Sequence, residues 1–122
     1  MTSEPKRRIA AAVDDLFFAA KIRAVAEAIG AEVVFLKGAR AASAADLSGV
    51  SLVVVDLESG GDVAGLAQAL KENAETQHAP LVGFFSHVHA GLKKKAEASG
   101  FDRVVPRSVF TARLAEILRG NF

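Results

Sequence analysis

The sequence predicts an α/β fold, a parallel sheet with helices on both faces, and three observations carry that prediction. Short apolar runs alternate along the chain with longer segments whose apolar residues recur at helical spacing. The apolar runs, Val50 to Val55 above all, are continuous rather than alternating, as in strands covered on both faces. Gly, Pro and Asp cluster at the joints between them, where turns and helix caps belong. With 122 residues, 51% of them hydrophobic, the chain is the size of one domain and can bury a core.

Ile9 to Val13 is the first strand, preceded by a basic tail over residues 1–8, so the domain is expected over 9–122. Leu16, Phe18, Ile22, Val25 and Ile29 then mark a helix that Gly30 closes. Val33 to Leu36 is a second strand. The Ala-rich stretch from Gly38 to Gly49 predicts a short helix. Val50 to Val55 is the strongest strand signal, ending in Asp56. After Ser59-Gly60-Gly61, Asp62 can cap a helix with Val63, Leu66, Ala67 and Leu70 on its apolar face. Pro80 opens a fourth strand, Leu81 to Phe85. Leu92 and Ala96 mark a basic helix ending near Gly100, Arg103 to Val105 a fifth strand, and Phe110, Leu114, Ile117 and Leu118 a last helix closed by Gly120. Five such alternations with right-handed crossovers favour the flavodoxin-like doubly wound five-stranded parallel sheet, strand order 2-1-3-4-5.

Composition excludes several function classes. Without cysteine there are no disulfides, thiolate metal sites or cysteine nucleophiles. A net charge of +1, from 15 basic and 14 acidic residues, gives no electrostatic case for nucleic acid. The clusters Lys6-Arg7-Arg8 and Lys93-Lys94-Lys95 are read as a solvated tail and a solvated helix face. No apolar run is long enough for a membrane span, and Asp14 and Asp15 interrupt the first apolar stretch, against a secretory signal. A cytoplasmic location is expected.

In such a sheet, ligands bind where the strands end. The residues there are Asp14 and Asp15, then Asp56, Ser86 and Arg107. Carboxylates converging on one crevice repel one another, and a hard divalent cation relieves that repulsion. A serine hydroxyl and an arginine fork suit phosphoryl oxygens. Together they describe a site for moving a phosphoryl group by positioning and charge neutralisation. Each acid alone is equally well read as a helix N-cap.

The segments Ala11-Ala12-Val13-Asp14-Asp15, Leu52-Val53-Val54-Val55-Asp56, Gly83-Phe84-Phe85-Ser86 and Ala98-Ser99-Gly100-Phe101-Asp102 resemble those of response-regulator receiver domains, in particular stand-alone, chemotaxis-regulator-like ones. That resemblance implies magnesium held by Asp14, Asp15, Asp56 and the backbone carbonyl of Glu58. It implies that Asp56 accepts a phosphoryl group from a phosphohistidine on a sensor histidine kinase or phosphotransfer protein. Ser86 would then bond a phosphoryl oxygen, and Arg107 would be its charge partner. The chain departs from the family pattern at four places. Arg107-Ser108 replaces the usual lysine-proline pair, and the loop Leu57-Glu58-Ser59-Gly60-Gly61 lacks the family's proline. Val104 stands where the aromatic switch residue is usual. Phe17 and Phe18 follow the acid pair, Phe18 expected in the core and Phe17 near the mouth of the site.

His87 and His89 could ligate zinc only with a third ligand that the sequence does not place nearby, so they are read as exposed loop residues, as is His78. The leading expectation is a two-component receiver without an attached output domain, a phosphoacceptor rather than an enzyme. It would signal by protein contact through a face carrying Lys93, Lys94, Lys95, Arg103 and Arg107, which favours an acidic downstream partner. The alternatives are a pseudo-receiver that works without phosphorylation and, behind it, a small aspartyl-phosphate phosphohydrolase. A nucleotide or flavin site is disfavoured, since there is no Gly-rich phosphate loop and no Trp or Tyr.

Overall fold

The computed structural model describes residues 7–37, 46–58, 62–86 and 90–121. Its elements run β1 (Arg7–Ala12), α1 (Leu16–Ala28), β2 (Ala31–Phe35), β3 (Val50–Asp56), α2 (Val63–Glu72), β4 (Leu81–Phe85), α3 (Ala90–Ala98), β5 (Arg103–Pro106), α4 (Arg107–Ala112) and α5 (Leu114–Leu118). All strand pairs are parallel, in the order β2-β1-β3-β4-β5. This is the doubly wound, flavodoxin-like order expected from the sequence. Among the described residues no helix is long and apolar enough to cross a membrane.

Strand side chains alternate between the two faces of the sheet, and this sorts the core into two layers. Ala10, Val53, Val55, Leu81 and Phe85 pack with Leu66, Ala67 and Leu70 of α2, Ala96 of α3 and Phe101. Ile9, Ala11, Leu52, Val54, Val82 and Phe84 pack with Phe18, Ile22 and Ala26 of α1 and with Phe110, Leu114, Ile117 and Leu118. The second layer centres on three rings. Phe84 stacks on Phe110 with centroids 4.3 Å apart, and Phe18 tilts against Phe84 at 5.2 Å. Gly83 in β4 leaves room in the first layer. A Cβ there would come within 3.0 Å of the Leu57 and Phe101 side chains, so a larger residue would overfill the layer.

Four details differ from the sequence reading. β1 begins at Arg7, and the basic pair is not a solvated tail. Arg7 Nε donates to Ser51 Oγ at 2.9 Å, and Arg8 Nε to Glu32 Oε1 at 2.7 Å, tying β1 to both neighbouring strands. Leu16 is 83% exposed instead of core-facing, because the first residue of α1 stands beyond the end of the sheet it would pack on. The last helix is split at Arg113, whose backbone lies at φ −113° and ψ 22°. The break lets Phe110 reach Phe84 while Leu114, Ile117 and Leu118 remain buried. Asp46 to Gly49 form loop and turn rather than helix, and the rest of the helix expected between Gly38 and Gly49 lies outside the described residues.

Candidate functional site

The carboxyl ends of β1, β3, β4 and β5 open on one edge of the sheet, and the chemistry-bearing residues collect there. Asp56 is the last residue of β3, paired in register with Phe84 of β4. It is only 9% exposed, since the continuous strand carries it into the protein before the chain turns. Its Oδ1 accepts a hydrogen bond from the Glu58 N–H at 2.9 Å, an Asx-type turn that folds the loop back over the strand end. Burial pushes the Asp56 carboxyl above the ordinary carboxylate range. The Glu58 N–H and the Arg107 charge oppose that rise, and the Glu58 and Asp14 charges add to it.

Asp14 and Asp15 follow β1 and are both exposed, but they do different things. Asp15 is the N-cap of α1, its Oδ1 accepting from the N–H groups of Phe17 at 2.9 Å and Phe18 at 3.2 Å. Its Oδ2 faces Arg107 Nη2 at 3.4 Å. The Phe18 N–H above all, with the Phe17 N–H and Arg107, holds the Asp15 carboxyl below its usual range against a smaller opposing effect of burial. Arg107, the first residue of α4, lies with its guanidinium carbon 4.4 Å from the Phe18 ring centroid. It is thus held by a ring and a carboxylate on α1 and turned toward the acids. Of the five basic residues expected on the outward face, Lys93, Lys94, Lys95 and Arg103 are exposed and Arg107 is not among them.

Ser86 follows β4, and its partner is one the sequence reading did not foresee. The Glu58 carboxylate accepts from the Ser86 N–H, and from the Ser86 hydroxyl at 2.6 Å, both on Oε1. The resemblance implies a role for the Glu58 backbone carbonyl alone; in the fold its side chain is engaged as well. The available signal was the spacing. An acid two residues past a strand-end Asp is carried by an Asx turn back toward the next strand. Phe18 is buried and Phe17 is 91% exposed beside Asp15, both as expected. His78 is exposed, and His87 and His89 lie outside the described residues.

The donor set fits a hard divalent cation in part. Among the described residues no group of three or more acidic or histidine side chains is arranged to hold a metal. Asp15, which the resemblance implies as a further ligand, turns Oδ1 to the α1 cap and Oδ2 to Arg107 at 3.4 Å. Asp14 and Asp56 do fit. The Asp14 charge helps raise the Asp56 carboxyl, and a small hard cation needs no more than one or two carboxylates beside its waters.

No family model and no curated protein sequence matches the chain. Solved structures do. The receiver domain of a Pseudomonas aeruginosa sensor histidine kinase, described with magnesium coordinated in its active-site cleft, superposes with a TM-score of 0.78 at 14% identity. That match covers 95% of this chain and 97% of the other. A response regulator from Hahella chejuensis gives 0.77 at 22% identity, covering 93% and 92%. The phosphorylated cyanobacterial phytochrome response regulator RcpA gives 0.74 at 16%, covering 95% and 91%. With that coverage and the same strand order, this chain has the fold of a response-regulator receiver domain.

Proposed function

We propose that the chain is a receiver module of two-component signalling that accepts a phosphoryl group on Asp56 and signals by protein contact. One observation carries this reading: Asp56 closes the central strand, almost buried, under the charges of Asp14 and Arg107 at the same end of the sheet. A carboxylate oxygen of Asp56 attacks the phosphorus atom of the donor. The phosphorus–nitrogen bond of a phosphohistidine, or the phosphorus–oxygen bond of acetyl phosphate, then breaks, and the leaving group keeps the electron pair. Asp14 and Asp56 would hold magnesium, which neutralises charge on the transferring oxygens. Arg107, braced by Phe18 and Asp15, supplies a fixed positive charge beside Asp56. Ser86 can donate to a phosphoryl oxygen once its own donors are released. The solved neighbours support a sensor histidine kinase or phosphotransfer protein as donor, and exposed Lys93, Lys94 and Lys95 support a downstream partner with an acidic surface. In this reading the domain is cytoplasmic and turns over no substrate of its own.

A second reading, an interaction module of the same fold that is never phosphorylated, is favoured by Asp15 being committed to its cap and to Arg107. Incubation with acetyl phosphate and magnesium, followed by mass spectrometry, separates the two. Label on the wild type and none on Asp56→Asn is the expected result. An unlabelled wild type would establish the second reading.

A further inference from the structure

Ser86 has two donors at the mouth of the crevice, its hydroxyl and its backbone N–H, and both are directed at Oε1 of Glu58. The contact is organised from Asp56 itself. The Glu58 N–H bonds Asp56 Oδ1 at 2.9 Å, which sets the direction in which the Glu58 side chain leaves the backbone. The Leu57 N–H bonds the Phe84 carbonyl at 2.9 Å, which fastens the exit of β3 to β4 just ahead of Ser86. Asp56, Glu58, Ser86 and the end of β4 therefore form a short closed ring of hydrogen bonds. A carboxylate offers the same sign of charge and the same acceptor oxygens as a phosphoryl group. We propose that Glu58 is a positioning residue that latches Ser86, its carboxylate holding in the unmodified protein the two donors that a phosphoryl oxygen on Asp56 would take.

This rests on the phosphoacceptor reading and adds a regulatory step to it. The carboxylate competes with the incoming anion by holding its donors and by repelling it. Ser86 is organised before any phosphoryl group arrives, so modification exchanges one acceptor for another. Ordinary loop packing makes the opposite forecast from the latch. If Glu58 only braces the loop, removing its carboxylate loosens the site and slows phosphoryl uptake. If it is a latch, removing it speeds uptake.

The test compares wild type, Glu58→Ala and the isosteric Glu58→Gln for magnesium-dependent labelling by acetyl phosphate, and follows the Ser86 amide proton by NMR in the unlabelled proteins. Releasing a charge-assisted contact at an exposed site is expected to raise the labelling rate of Glu58→Ala about tenfold. Glu58→Gln, which keeps an acceptor but not the charge, should fall between. The Ser86 amide resonance should move upfield in both variants. Measurable labelling at equal or lower rates in the variants overturns the latch, as does a Ser86 amide that does not move. Absence of label from all three proteins, with the amide shifted, overturns the phosphoacceptor reading instead.

Discussion

Asp56 carries a carboxyl that the fold makes harder to ionise, and the direction of that effect fixes how stability responds to pH. Its folded pKa lies above the unfolded value of 3.8, with burial as the main cause. Below the unfolded value both states hold the proton and the group contributes nothing. As pH rises through the window up to the folded value, the unfolded state loses its proton first and the folded state becomes less favoured. Neutral, metal-free protein therefore carries a cost at this residue. In the presence of a chelator, Asp56→Asn is expected to melt at a higher temperature than wild type at pH 7, with the gain disappearing near pH 3. Equal melting temperatures at pH 7 would show that the charges around Asp56 already balance. Asp15 has the opposite sign: its lowered pKa contributes stability above the unfolded value that is lost as pH falls through the folded one.

At the level of elements, the site is held in place from beneath. Arg107 can face the acids because α4 begins directly after β5 and because Phe18 lies under its guanidinium. Phe18 is fixed in turn by Phe84 and Phe110. Phe110 is fully buried, so Phe110→Ala should remove about 3–5 kcal/mol of stability in urea titrations. The variant should also lower acetyl phosphate labelling more than distance from Asp56 alone would suggest, since the support of Arg107 goes with it. A destabilised protein labelled at the wild-type rate would show that Arg107 is positioned by Asp15 without the rings. The same packing explains the split of the last helix: one straight helix would have to give up either the Phe110 stack or the burial of Leu114, Ile117 and Leu118.

For the whole molecule, the magnesium site proposed between Asp14 and Asp56 predicts coupling between magnesium and stability. Magnesium chloride should raise the melting temperature of the wild type and leave Asp14→Asn and Asp56→Asn nearly unchanged. At a hundred times the dissociation constant the gain is about 2.7 kcal/mol. An equal rise in all three proteins would place the cation elsewhere. The sheet order, the two helical layers and Asp56 at the end of the strongest strand were legible in the sequence, because continuous apolar runs and helical spacing are local properties of the chain and right-handed crossovers restrict how their alternation can be wound. So was the cap at Asp62, whose side chain accepts from the Gly65 N–H at 2.9 Å. The ties that give the site its character were not. Glu58 meets Ser86 across 28 residues, and Arg107 meets Asp15 across 92. Arg7 and Arg8, read as a tail, find partners on neighbouring strands. The sequence by itself determined which residues stand at the strand ends and so which chemistry is available there. Only the tertiary structure decided which acid caps a helix, which braces an arginine and which latches a serine. Those choices depend on rotamers and close approaches between segments that the chain brings together only when the sheet is complete.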